Sequence, residues 1–265
     1  MEKLSGKKNT AILISGRGSN LRSLVKYSQT KKSLIRIVLV VSNNLNAKGL
    51  DQKLLDFGIT ESFDENDYYV SKSNYFAKNI IEAWPKWEKK IVNLAGEKYS
   101  GKTHLSNIFK KKSNALYLHS NNIEDKILKK IKLSNSIIIE DLEESFDEKL
   151  LYSIFNLVEQ DNKYLLLSSK KPIDTMKFTL PDLLSRLKNC IIAKIEQPDD
   201  ELIYAIILKS FSDRQIKLDN KIIDYIIKRI ARSYSKMHEF IYKIDELSLK
   251  KKKSINFKII KEIIN

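Results

Sequence analysis

One cysteine, Cys190, in 265 residues rules out an internal disulfide and fits a reducing compartment. Its setting, Asn189-Cys190-Ile191-Ile192, reads as a core thiol and not as a nucleophile. Long apolar runs are missing. None approaches the roughly 18 residues of a bilayer span, and the opening Met1-Glu2-Lys3-Leu4-Ser5-Gly6-Lys7-Lys8 lacks the apolar stretch of a secretory signal. A cytoplasmic protein with no membrane partner is expected. Glycine is scarce, with 7 in the chain, so a glycine-rich pattern is hard to meet by chance. Acidic residues (33) are outnumbered by Lys and Arg (48), for a net charge of +15. A basic surface attracts phosphate backbones without regard to sequence, which allows nonspecific DNA contact. Lysine greatly outnumbers arginine, however, and Ile and Asn are abundant, which reads as a whole-chain bias; runs such as Lys110–Lys112 and Lys250–Lys253 read as solvated faces or loops. With 42% hydrophobic residues, the chain can bury one large core or two modest ones.

Against this background one segment stands out. Gly96-Glu97-Lys98-Tyr99-Ser100-Gly101-Lys102-Thr103 fills every fixed position of the phosphate-binding pattern G-x-x-x-x-G-K-[ST]. Lys90–Ala95 before it reads as a short buried strand, and His104–Phe109 after it can open a helix. The glycines let consecutive N–H groups face inward, where they and the helix N-terminus hold anionic oxygens. Gly96, Ser100, Gly101, Lys102 and Thr103 are therefore the expected nucleotide cradle, with Lys102 neutralising β and γ phosphates and the Thr103 hydroxyl offered to Mg2+. The second requirement is an apolar strand ending in acids, one carboxylate for the magnesium shell and one to orient water. Ile137-Ile138-Ile139-Glu140-Asp141 supplies it, with Glu140 on the metal side, partly through water.

Further short apolar segments follow at Ala115–His119, Lys163–Leu167 and Cys190–Ile195, separated by polar or helical stretches, as in a parallel α/β sheet covered on both faces. After Gln197-Pro198 the period becomes helical over Asp199–Lys209, Asp219–Arg232 and Tyr234–Leu249, with Asp219 as an N-cap: a helical lid behind the sheet domain.

These motifs resemble the AAA+ ATPases of the DnaA replication-initiator clade from about Phe63 onward. Ser62-Phe63-Asp64 with Asp67–Asn74 is similar to the clade's adenine-side segment, which implies roles for Tyr69, Val70 and Asn74, and Pro181–Leu187 resembles the box holding an arginine finger, here Arg186. The acidic pair is inverted relative to the clade's usual Asp-first order. Ser168-Ser169-Lys170 and Ser235-Lys236-Met237-His238 replace the usual γ-phosphate sensors, with His238 the lid residue nearest that role. Weak intrinsic ATP hydrolysis is expected. The chain stops at Asn265 after the lid, without the initiator's helix-turn-helix domain, and this plan resembles the Hda group of DnaA-related regulators, especially its alphaproteobacterial form. That resemblance implies ADP or ATP with Mg2+ as cofactor. It also implies two partners, the DnaA initiator and the DNA polymerase III sliding clamp (β), at the nucleoid or replisome, and stimulation of initiator hydrolysis by Arg186 in trans. The clamp peptide expected just ahead of the ATPase is Gln52-Lys53-Leu54-Leu55-Asp56-Phe57, with Gln52, Leu55 and Phe57 as anchors. A homo-oligomer is compatible with the plan.

Residues 1–50 follow a different pattern. Thr10–Leu21 and Ile35–Leu50 resemble the opening of glycinamide ribonucleotide formyltransferase, with the loop Gly16–Leu21 in the place of its phosphate cradle; the catalytic part of that family is missing and no formyl transfer is expected. The expected organisation is a formyltransferase-like βαβ fragment (1–50), a clamp-binding peptide and linker (51–66), an AAA+ sheet domain (67–198) and a helical lid (199–265). Two alternatives stay open: a helicase-loader-like ATPase acting on single-stranded DNA, and a nonenzymatic adaptor stabilised by nucleotide.

Overall fold

Short apolar runs such as Ile137-Ile138-Ile139 and Leu165-Leu166-Leu167 lie in the strands of this protein, and such runs bury both faces of a parallel sheet. The computed structural model describes residues 8–14, 27–28, 33, 35–42, 63, 65–123, 126–213, 218–251 and 257–264. The chain divides into two units, residues 1–62 and 63–265. In the first, β1 (Lys8–Ile14) pairs in parallel with β2 (Ile35–Ser42), Lys8 opposite Ile35 and Ile14 opposite Ser42, with a register shift between Thr10 and Ala11. The loop Gly16–Leu21 and the clamp-peptide residues Gln52, Leu55 and Phe57 lie outside the described residues.

The second unit contains β3 (Ile91–Ala95), β4 (Leu116–His119), β5 (Ser136–Leu142), β6 (Tyr164–Ser169) and β7 (Ile191–Lys194), all parallel, in the order β4-β5-β6-β3-β7. Strand periodicity sorts the core into two layers. Ile91, Ile137, Ile139, Leu165 and Leu167 face one cluster with α3 (Ile127–Lys132), α4 (Glu148–Gln160) and α5 (Pro181–Leu187). Val92, Leu94, Ile138 and Leu166 face the other, with α1 (Tyr75–Ala83) and α2 (Lys102–Ser113). Asn93, buried on β3, donates to Ser169 Oγ at 2.8 Å and accepts from Ile173 N at 2.9 Å, which ties the loop after β6 to β3.

The lid consists of α6 (Asp200–Ser212), α7 (Asn220–Ile227), α8 (Tyr234–Lys251) and α9 (Phe257–Ile264) around their own apolar cluster, centred on Ile207, Phe211, Ile223, Met237 and Ile244. Side-chain caps start the helices where short acids precede apolar turns: Asp147, Asp199 and Asp219 each accept from backbone N–H groups of the first turn. The sequence suggests a helix from Asp219 to Arg232; α7 instead ends at Ile227, and the chain turns through Arg229 and Ile230 toward Ser233. The lysine run of α2 is also less idle than a solvated face: Lys111 donates to Phe63 O, Lys112 pairs with Glu65, and Lys110 lies over the Tyr117 ring. Cys190 is buried, as expected for a core thiol, and burial pushes it up to about 12. Among the described residues no helix is long and apolar enough to cross a membrane.

Candidate nucleotide site

Beyond position 58 the chain has only two glycines, Gly96 and Gly101, and both serve the turn from β3 into α2. Gly101 sits at φ +91°, where a side chain would be strained, and a Cβ there would come within 2.9 Å of Tyr68 Cε2. A Cβ on Gly96 would meet Ser100 Oγ at 2.8 Å and Ile195 Cβ at 3.1 Å. Both glycines are therefore dictated by close approach. Lys102, buried in the first turn of α2, donates to Gly96 O and Glu97 O, each at 2.8 Å, so its ammonium lies over the loop. Burial lowers its pKa, while Asp141 and Glu140 pull it back upward.

At the next residue, Thr103 Oγ1 donates to Glu140 Oε2 at 3.4 Å. Glu140 is fully buried at the C-terminal end of β5, and Ser168 Oγ also donates to its Oε2, at 2.8 Å. Its other oxygen, Oε1, is buried without a hydrogen-bond partner. A buried carboxylate oxygen left open beside a hydroxyl and an ammonium fits a hydrated cation with phosphate. Among the described residues no cluster of three or more His, Cys, Asp or Glu could hold a metal by itself. An ion at Thr103 and Glu140 would take its remaining ligands from water and phosphate, the usual Mg2+ preference. Asp141 follows at φ +53°, on a register irregularity between Ile139 and Leu142 that leaves it exposed; its N–H donates to Ser168 Oγ at 3.1 Å. Ser168, in the place of the clade's usual sensor, thus contacts both acids.

The adenine-side segment is shaped from within. Asn74 spends its amide on the loop, donating to Tyr69 O at 2.9 Å and accepting from Ser71 N at 2.8 Å. Tyr69 and Val70 are exposed, and Tyr69 Oη donates to Glu201 of α6 at 2.7 Å. Tyr68, beside the expected adenine-side residues, lies against Gly101; its Oη, Tyr234 Oη and Asp199 Oδ2 are buried without partners. Burial pushes both phenols upward, Tyr234 to about 12. Unpaired polar atoms in one region are what a polar ligand would satisfy.

The loop also holds the lid. Glu97 accepts from Ser233 Oγ at 2.5 Å, Tyr234 N at 3.0 Å and Ser235 N at 3.2 Å, capping the N-terminus of α8 from across the structure. Burial alone would raise its pKa; the hydrogen bonds from Ser233, Ser235 and Tyr234 outweigh it and leave it lowered. Next to it Tyr99 stacks on His238. Tyr99, Tyr234, Met237 and His238 help to line a cavity of about 280 Å³. None of Glu97, Tyr99 and Ser233 carries a sequence signal for this contact, because the partners are far apart in the chain.

Arg186 lies elsewhere. On α5, which shares the other layer with α4, its guanidinium pairs with Glu159 and sits 5.3 Å from the centre of the Tyr152 ring.

Residues 199–264 match the family described as Hda, lid domain. Over 223 residues the chain is 27% identical to the chromosomal replication initiator protein DnaA of Helicobacter hepaticus, covering 75% of this chain and 49% of that protein; it spans about half the length of this relative. A separate match of 90 residues, 37% identical, is to the trifunctional purine biosynthetic protein adenosine-3 of Bos taurus, 34% of this chain and 9% of that protein. Among solved structures, domain III of the Thermotoga maritima replication initiation protein DnaA superposes with a TM-score of 0.63 at 17% identity, covering 77% of this chain and 95% of that one. AMPPCP-bound DnaA from Aquifex aeolicus gives 0.56 at 17% identity, covering 70% and 68%. At these identities the structural likeness shows the fold: an AAA+ sheet domain followed by a helical lid.

Proposed function

We propose that this chain, a DnaA-related AAA+ protein whose lid is of the Hda type, regulates the initiation of chromosome replication by promoting ATP hydrolysis on a DnaA initiator. The observation that carries this reading is the presence, in one chain, of a phosphate loop on which Lys102, Thr103 and Glu140 converge and a lid of the Hda family clamped to that loop by Glu97. The residues fit an adenine nucleotide, and a solved relative in fold was bound to AMPPCP. ADP or ATP with Mg2+, when bound, supplies the anionic oxygens that such a loop neutralises.

In this reading Gly96, Ser100 and Gly101 shape the loop around phosphate, with Gly96 N–H held by Ser169 O and Ser100 N–H by Glu97 O; Lys102 turns from the loop carbonyls to phosphate, and Thr103 and Glu140 hold the hydrated ion. Tyr69, Val70 and Asn74 form the adenine side, and His238 stays on the lid beside the loop. Asp141, exposed and held at its N–H by Ser168, is the group that would orient water. With the acids in inverted order, slow turnover follows. Arg186 is offered to the nucleotide of a neighbouring initiator, where an arginine in trans stabilises charge on the transferring phosphoryl group and is worth about 10³–10⁵ in rate in related systems. Gln52, Leu55 and Phe57 dock the chain on the sliding clamp; the basic surface allows DNA contact besides.

The intramolecular pair of Arg186 with Glu159 favours a second reading, a nonenzymatic adaptor in which Arg186 is structural. Hydrolysis of ATP by DnaA, measured with the clamp and with wild-type or Arg186→Ala protein, separates the two. Loss of stimulation with nucleotide and clamp binding retained supports the finger, and stimulation at the wild-type rate supports the adaptor. Arg186→Lys should fail nearly as badly as Arg186→Ala, because a point charge cannot reproduce the planar fork.

A further inference from the structure

Helix α4 grips the segment carrying Arg186 at two places. At its start, the Glu148 carboxylate accepts from Thr179 N at 2.9 Å and Leu180 N at 2.7 Å, just ahead of α5. Near its end, Glu159 pairs with the Arg186 guanidinium, while Tyr152, two turns earlier on the same stripe of α4, lies against the guanidinium. The first contact orders backbone; the second engages only a side chain. That side chain remains partly open to solvent, at 28% for Arg186 and 42% for Glu159. Solvent-screened pairs of this kind are weak, and a single carboxylate competes poorly with a polyphosphate that accepts a bidentate guanidinium and carries several charges.

We propose that Glu159 parks Arg186: it holds the guanidinium on the Tyr152 ring of α4 until a nucleoside triphosphate on a partner's surface faces α5 and draws the arginine away. Glu159 is then a positioning residue that acts through Arg186 and touches no substrate. This rests on the reading of Arg186 as a finger in trans.

The test uses the full chain as Glu159→Gln, Glu159→Asp and Arg186→Ala, with equal thermal midpoints confirming that the Glu159 variants fold. Phenylglyoxal modification of Arg186, followed by peptide mass spectrometry in the absence of any partner, should be about two- to fivefold faster in Glu159→Gln and near the wild-type rate in Glu159→Asp. With ATP-loaded DnaA and clamp, Glu159→Gln should lower the half-saturating concentration of this protein about two- to fivefold and leave the plateau rate unchanged. An unchanged phenylglyoxal rate overturns the parking contact itself. A raised half-saturating concentration or a reduced plateau overturns it in favour of Glu159 holding Arg186 in its productive pose. Wild-type stimulation by Arg186→Ala overturns the finger reading, and the proposal with it, whatever the modification rates.

Discussion

Tyr99 of the phosphate loop and His238 of the lid stack face to face, ring centroids 3.9 Å apart and planes 3° from parallel. Tyr99 does so from φ +67°, a conformation that glycine adopts freely and that costs a residue with a Cβ about 1–2 kcal/mol. The stack and the Glu97 cap beside it join two elements that lie far apart in the chain, the glycine loop between β3 and α2 and the first turn of α8.

Substitution of Tyr99 therefore separates strain from stacking. Tyr99→Ala keeps the left-handed backbone and loses the ring contact, and should lower stability by about 1 kcal/mol. Tyr99→Gly loses the same contact but relieves the backbone, and should stay within about 1 kcal/mol of wild type. Denaturant unfolding checks the order; a Tyr99→Ala protein more stable than Tyr99→Gly would show that the backbone there is unstrained. Hydrogen exchange in the first turn of α8 should quicken in both.

Glu97→Gln should destabilise the lid by about 1 kcal/mol at neutral pH, the value of an anionic cap at a helix N-terminus. Because the folded state lowers the Glu97 pKa, the contribution is complete above the ordinary glutamate value of about 4.3 and is lost as pH falls through the lowered folded value. The stability gap between wild type and Glu97→Gln should accordingly be flat from pH 7 to 5 and close below about pH 4. A gap that persists unchanged at pH 3 would mean that the charge is not what caps α8.

Lys102→Ala should abolish binding of ADP and ATP, measured by titration with a fluorescent adenine nucleotide, while the sheet domain stays folded. The wild-type chain alone should hydrolyse ATP well below about 1 s⁻¹, the lower edge of competent phosphoryl-transfer enzymes. Turnover at or above that rate would show that the inverted pair Glu140 and Asp141 is a working catalytic set.

Replacing Gln52, Leu55 and Phe57 together by alanine should remove binding to immobilised sliding clamp and leave nucleotide affinity unchanged. Clamp binding at wild-type strength would dismiss the peptide assignment.

Much of this protein could be read along the chain. The phosphate loop, the strand ending in Glu140, the sheet strands and the Asp219 cap depend on neighbours a few residues away, so their chemistry is written in local spacing. Helical spacing continues to Arg232 while α7 ends at Ile227, because nothing local announces that the chain must turn to bring Ser233 to Glu97.

What tertiary structure alone decided is which distant groups meet. Glu97 reaches Ser233, Tyr99 reaches His238, Ser168 reaches Glu140, and Arg186 reaches Glu159 only because a parallel sheet brings strand ends together and packs helices in two layers over it. The sequence alone determined the turn from β3 into α2 and its phosphate-binding pattern, since the backbone freedom of two glycines and the charge of one lysine are local properties. How the lid is held and what Arg186 touches were decided by packing, because hydrogen bonds and ion pairs depend on distance in space and not on separation along the chain.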